Sequence, residues 1–412
     1  MNFSKINDII NKQKILKKQK RKQLLFNSFG GVSNVNYCNP TLNLNVKLNE
    51  LNENSDFNEY MIALKNNSVD EFYDKCNKKH KNYVVNKYIF NNIVYIKKNI
   101  FKIINVYQPE YKNRRATGFG DFIRGSYFII QFCEKFKLEY EIKINHAIKN
   151  YLSFYSKKNK LDEHYEKNIP YEETKKFTSD EDIYFFEPDN FNIFNNVNSD
   201  DELIDKKIEM IYDFSCYLKE QKINNRSVKI YTISFPFQEI TDKQQNKMKE
   251  ILEPTNEIKQ ILNNALINNN LISNNYKVIQ IRNGDNILIN DEHLNEDFLK
   301  TIQTEINKIY MSSNKALNCK YLLISDSVKI KDYINKRFPN IITINNKITH
   351  IGEGVNLVVN DEKIKNTLLD FYLMANSNEI ISFSCYEHGS GFSRWCATTY
   401  DIPYTCTIIK NE

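Results

Sequence analysis

Tyr276 to Asn286 read YKVIQIRNGDN, and how this stretch is read decides the fold. Val278, Ile279, Gln280 and Ile281 form a short, mostly apolar run of strand length. Asn283 and Gly284 then supply residues that accept the positive φ of a tight turn. Arg282 and Asp285 flank that turn, and Arg282 leaves the carboxyl end of what reads as a buried strand. In open α/β sheets that edge is where ligands bind.

Working outward, the last 160 or so residues alternate between two periods. A strand at Lys277–Ile281 is followed by a helix near Asn295–Tyr310, a strand Tyr321–Ser325, a helix Val328–Phe338 and a strand Ile341–Ile344. A helix Glu362–Ala375, a strand Glu379–Phe383, a helix Ser390–Thr399 and a strand Tyr404–Ile408 complete the series. Strands alternating with helices at this spacing imply βαβ units and a parallel sheet. A G-x-G-x-x-G fingerprint is absent, so NAD and FAD are disfavoured.

Upstream the text is less regular. Alternating apolar and polar residues between about Tyr88 and Gln108 read as strands. A glycine turn at Gly118-Phe119-Gly120 precedes an amphipathic helix from about Asp121 to Phe136 and a strand at Tyr140–Ile144. Glycines before a helix let its unpaired N–H groups approach a ligand closely, although a lone Gly-x-Gly is as readily a packing turn. Residues 146–205 give no clear pattern; a helix Glu202–Gln221 and a strand at Val228–Phe235 follow.

At 412 residues the chain is too long for one ordinary core. We expect a basic, Asn-rich N-terminal segment and linker at 1–57, an N-terminal domain at 58–250 that faces the acceptor, and a C-terminal Rossmann-like nucleotide-sugar domain at 251–412. A hydrophobic content of 41% is that of a globular protein, and a net charge of +6 with interspersed acids does not call for nucleic acid. Eight scattered cysteines without Cys-x-x-Cys spacing read as reduced, buried thiols. The N-terminus lacks the apolar core of a signal peptide, and no run approaches a membrane span, so the expected location is cytoplasmic. The lysine-rich first 29 residues are a candidate for weak peripheral membrane contact, with a solvated helix as the plainer reading.

Three strand ends of the C-terminal series carry polar residues to one edge. The first brings Arg282 and Asp285, the second Ser325-Asp326-Ser327, and the fourth runs through Glu387 and His388 into Gly389-Ser390-Gly391-Phe392-Ser393 at a helix start. A helix N-terminus and an arginine both suit a diphosphate. Asp326, acceptor-only, suits ribose hydroxyls or the N–H edge of guanine. Each residue alone has a structural explanation, as an ion pair or a cap; their convergence on one edge favours a nucleotide-diphosphate site.

TGFGDFIRGSYFIIQFCEKF, VIQIRNGDN and LLDFYLMANSNEIISFSCYEHGSGFSRWCA resemble, in that order, motifs of GDP-fucose-dependent fucosyltransferases, the superfamily of GT-B fold with an H-x-R-x-x-D-like motif. The chain resembles that superfamily from about Gly118 to Ala397. The resemblance implies two Rossmann-like domains facing a cleft. It also implies metal-independent, inverting transfer of fucose from GDP-fucose to a hydroxyl of a glycan or glycoprotein. Arg282 would neutralise the β-phosphate, Asp326 would read the nucleoside, and Ser390 to Ser393 would hold the diphosphate. Gly118, Gly120 and Asp121 would approach the sugar. Asp285, Asp121 and Glu387 are candidates for the base, with no order among them. Gln280 stands where the family has histidine; it can donate a hydrogen bond but cannot become cationic. A different nucleotide sugar, or a non-catalytic glycan- or nucleotide-binding relative, are the alternatives.

Overall fold

The computed structural model describes residues 89, 91–108, 110–111, 114–115, 117–154, 183–186, 200–220, 227–284, 296–313, 319–344, 346, 348, 351 and 360–409. The N-terminal segment read as a basic helix and linker, and Asp285, lie outside them.

The expected α/β class with parallel sheets is what forms. In chain order the strands are β1 (Lys102–Tyr107), the small antiparallel hairpin β2 (Glu110–Tyr111) and β3 (Arg114–Arg115), β4 (Glu139–Ile144), β5 (Ile183–Phe186) and β6 (Ser227–Thr232). They are followed by β7 (Tyr276–Arg282), β8 (Lys320–Ser325), β9 (Ile341–Thr343), β10 (Glu379–Ser384) and β11 (Tyr404–Ile408). Two parallel sheets result, one of four strands in the order β4-β1-β6-β5 and one of five in the order β11-β10-β7-β8-β9.

The helices are α1 (Phe119–Phe136), α2 (Asp200–Glu220), α3 (Asp242–Ile251), α4 (Asn256–Asn268), α5 (Glu296–Ser313), α6 (Val328–Arg337), α7 (Asp361–Ala375) and α8 (Gly391–Tyr400). In the C-terminal half every expected element forms within a few residues of its expected bounds. β7 shows why: Tyr276 and Val278 pack into the large core, whereas Ile279 and Ile281 enter a second cluster with Phe298 and Ile302 of α5. A strand covered on both faces is apolar almost throughout. Gln280 and Arg282 share the face of Val278, and both line one cavity.

Two expectations upstream are corrected. Residues 91–99 are helical, where alternation had read as strand, and β1 begins at Lys102. Ile89, Ile93, Ile96 and Ile100 are all buried, and their spacing of 4, 3 and 4 is helical; the intervening residues hid it. α1 starts at Phe119, capped by Gly118, so Gly120 lies in its first turn and not in a preceding loop.

The sheets are joined mainly through α1 and α8. Tyr127 donates to Thr399 Oγ1 at 3.1 Å, Gln245 of α3 donates to the Thr398 carbonyl at 2.8 Å, and Trp395 lies beside the Tyr127 ring. At the helix N-termini the backbones touch. A Cβ on Gly120 would sit 2.4 Å from the carbonyl carbon and oxygen of Gly391, a distance no side chain can occupy. One buried cluster therefore runs from Ile103 in the first sheet to Tyr404 in the second.

Candidate functional site

In the five-stranded sheet the chain runs from β7 outward through β8 to β9, then returns to the other side with β10 and β11. The reversal between β7 and β10 leaves a crevice beyond their carboxyl ends, the place where such sheets take ligands. A cavity of about 280 Å³ occupies it, closed on the far side by the start of α1.

Most of the expected site residues meet there. Gly118, Gly120, Asp121, Gln280, Arg282, Asp326, His388, Ser390, Gly391 and Phe392 line the cavity. Glu387 is exposed and does not line it, and Ser393 lies behind the wall, fully buried.

Arg282 is held rigidly. Its Nη1 donates to Asp326 Oδ2 at 2.8 Å, and its guanidinium lies 5.8 Å from the centre of the Tyr386 ring. Asp326 also accepts from the backbone N–H of Asn283, at 3.0 and 3.1 Å, and of Gly284, at 3.1 Å. Gly284 reaches this position with φ of +111°, open to glycine and strained for other residues. The Asp326 carboxyl is fully buried, and burial pushes its pKa up against the pull of Arg282 and the two amides. The expectation that Asp326 reads the nucleoside is thus not what its geometry favours. Both oxygens are engaged by the turn, so the group positions Arg282.

Gln280 is built in from behind. Its Oε1 accepts from Ser382 Oγ at 2.6 Å and from Ser393 Oγ at 3.1 Å. With the oxygen so occupied, the amide N–H groups are what Gln280 offers the cavity. Ser390 caps α8 without a side-chain hydrogen bond, leaving the first-turn N–H groups of Gly391 and Phe392 at the cavity wall. Arg282, the Gln280 amide and this helix end bring to the cavity three kinds of donor that suit an anion.

At the start of α1, Asp121 pairs with Arg124 at 3.1 Å. Arg124 is buried, donates to the Ile233 carbonyl at 2.6 Å, and lies over the Phe235 ring at 4.3 Å. His388 stacks on Tyr386 with ring centres 5.3 Å apart.

Sequence reasoning missed Asp370. It lies on α7, 2% exposed, and lines the cavity with Ile324, Ser325 and Thr367. Its Oδ2 finds no hydrogen-bond partner among the described residues. Burial raises its pKa to about 6, with Lys331 pulling the other way. The signal was in LLDFYLM: an acid between Leu369 and Phe371 in a run that is otherwise buried and apolar. A buried acid with an oxygen that no described residue satisfies suits a ligand group that donates to it.

Among the described residues there is no group of three or more His, Cys, Asp or Glu side chains that could hold a metal ion. Among them, too, no helix is long and apolar enough to cross a membrane.

No family model and no curated protein matches the chain. Among solved structures, NodZ alpha-1,6-fucosyltransferase co-crystallised with GDP is similar at 15% identity, over 72% of this chain and 91% of that one, with a TM-score of 0.38. NodZ from Bradyrhizobium gives 14% identity, 72% and 92% coverage and a TM-score of 0.37. A variant of Arabidopsis thaliana FUT1 in complex with GDP is 8% identical over 79% of this chain and 76% of that one, with a TM-score of 0.41.

Proposed function

We propose that the chain is a fucosyltransferase that binds GDP-fucose in this cavity and transfers fucose, with inversion, to a hydroxyl of a glycan or glycoprotein. The observation that carries the reading is that one cavity joins an anion site to a buried carboxyl with an unused oxygen. Guanine presents two adjacent donors, N1–H and the 2-amino group, and an ionised carboxylate accepts both. Uracil presents one N–H between two carbonyls, and adenine sets a donor beside an acceptor, so neither matches an acceptor-only group. The three motifs shared with GDP-fucose-dependent fucosyltransferases support the same reading. In it, residues 58–250 form the acceptor-side domain and 251–412 the donor-side domain.

In this reading Asp370 orients guanine, and Arg282, Gln280 and the α8 N-terminus hold the diphosphate. As the bond from C1 of fucose to the β-phosphate oxygen breaks, negative charge grows on GDP. Donors already aimed at that oxygen stabilise it without reorganising. Arg282 and α8 supply the positive potential a metal gives elsewhere. Activity in excess EDTA is therefore expected to equal activity with added magnesium or manganese. Loss on chelation that one metal restores would contradict this.

Calorimetry tests the donor. GDP should bind at least about tenfold more tightly than ADP or UDP, and Asp370→Asn should abolish the preference. The carboxylate is needed as the anion, so affinity should be full above about pH 6 and fall as the pH drops through that value. A GDP-sugar is the suitable probe, because its esterified diphosphate does not titrate there. Equal binding of all three nucleotides would remove guanine from the reading.

Gln280 favours a second reading, a nucleotide-sugar-binding protein without turnover, because this position cannot become cationic. GDP-fucose binding without GDP release would decide for it.

A further inference from the structure

Resting on the transferase reading above, we propose that His388 is the general base that takes the proton from the acceptor hydroxyl, with the Asp121 carboxylate balancing the charge it gains.

In the transferase reading Asp370 takes the base, and Arg282 with the α8 N-terminus takes the diphosphate. The lining that this leaves for a sugar on the β-phosphate is Gly118 to Asp121, Tyr386 and His388. A base must face that sugar from the acceptor's side, within reach of the attacking oxygen. His388 is the imidazole lining this region.

Its setting suits the task. The ring stacks on Tyr386 at an interplanar angle of 18°, which fixes its plane, and Tyr386 in turn lies against Arg282. Burial lowers the pKa of His388, so the ring is neutral at pH 7 and able to accept a proton. The charged groups acting on it are Asp121 and Arg124 from α1, Arg394 from α8 and the adjoining Glu387. The two arginines oppose protonation and the two acids favour it, Asp121 being the strongest of the four. Asp121 is itself tied to Arg124 and lies against Gly391, which makes it a fixed counter-charge. Glu387, the other described candidate for the base, is exposed and outside the cavity.

In the step itself the acceptor oxygen bonds to C1 of fucose as its proton passes to a ring nitrogen of His388. The C1–O bond to the β-phosphate breaks, its electron pair leaves with GDP, and the imidazolium later loses its proton to solvent.

GDP-fucose provides the test, with water as the acceptor and then with azide, a nucleophile that has no proton to lose. His388→Ala is expected to bind GDP within about threefold of the parent and to hydrolyse GDP-fucose at least about 10²-fold more slowly. At saturating donor, which removes the contribution of Asp370, the parent rate should rise with pH through a value below the usual imidazole range; the variant should lack this limb. Azide should restore the variant's GDP release and yield fucosyl azide of inverted configuration. GDP binding with an unaltered hydrolysis rate in His388→Ala overturns this proposal alone, as does a lost rate that azide leaves unrestored. A parent protein that binds no GDP, or releases none from GDP-fucose with either acceptor, overturns the transferase reading and this proposal with it.

Discussion

Arg282→Ala is expected to lower kcat for GDP release from GDP-fucose about 10²- to 10³-fold, the loss typical when one preorganised donor to a developing oxyanion is removed. The guanidinium is 14% exposed and held by Asp326, so the parent spends little conformational freedom in presenting it. The Gln280 amide and the α8 N-terminus remain in the variant, so some activity should survive. Arg282→Lys should recover part of the loss, because a point charge cannot both keep the Asp326 contact and reach the phosphate as a fork does. GDP affinity should fall by less than kcat/KM, since the charge on the leaving group is greatest in the transition state. Single-turnover rates with GDP-fucose would check this, and unchanged turnover in Arg282→Ala would remove it from the site.

Asp326→Ala should affect stability as well as activity. It leaves the Arg282 guanidinium without its carboxylate, and the N–H groups of Asn283 and Gly284 without their acceptor. Breaking a buried pair by removing one partner costs about 3 to 5 kcal/mol. Because Arg282 retains some contact with solvent, the lower end of that range is expected. The melting temperature should fall by several degrees, and activity should fall at least as far as in Arg282→Ala, because the whole turn loses its anchor. Asp326→Asn keeps one acceptor oxygen and should lie between the two in stability. A variant with normal melting and normal turnover would show that Asp326 does not position Arg282.

The C-terminal sheet was legible because β7, β8 and β10 read as short, mostly apolar runs, separated by helices with regular apolar stripes. The polar residues at their ends stood out against that background, so the meeting of Arg282, Asp326 and Ser390 at one cavity could be anticipated from sequence. What each does was harder to read. Asp326 resembled a ligand group because its partners, two backbone amides and an arginine 44 residues away, leave no trace in local sequence. Asp370 was passed over for the opposite reason. An acid within a helical apolar run was taken for part of the helix, and only the fold shows that it faces a cavity. Residues 91–99 were misread because Val94, an exposed residue, fills a polar position of the stripe and imitates strand alternation.

The touching backbones of Gly120 and Gly391 have a consequence for biosynthesis. Tyr127 and Thr399, about two turns further along the same two helices, meet across 272 positions of the chain. Pairings between such distant segments form late, because the intervening loop must be closed first. The cavity wall that α8 supplies is thus absent until nearly all of the described chain has been translated and has emerged. A ribosome-bound intermediate ending before α8 would hold Asp370 and Arg282 but no helix end for the diphosphate. Donor binding should therefore switch on abruptly once α8 has emerged and docked on α1, and a nucleotide sugar would act as a reporter, and a stabiliser, of chains in which those two helices have met.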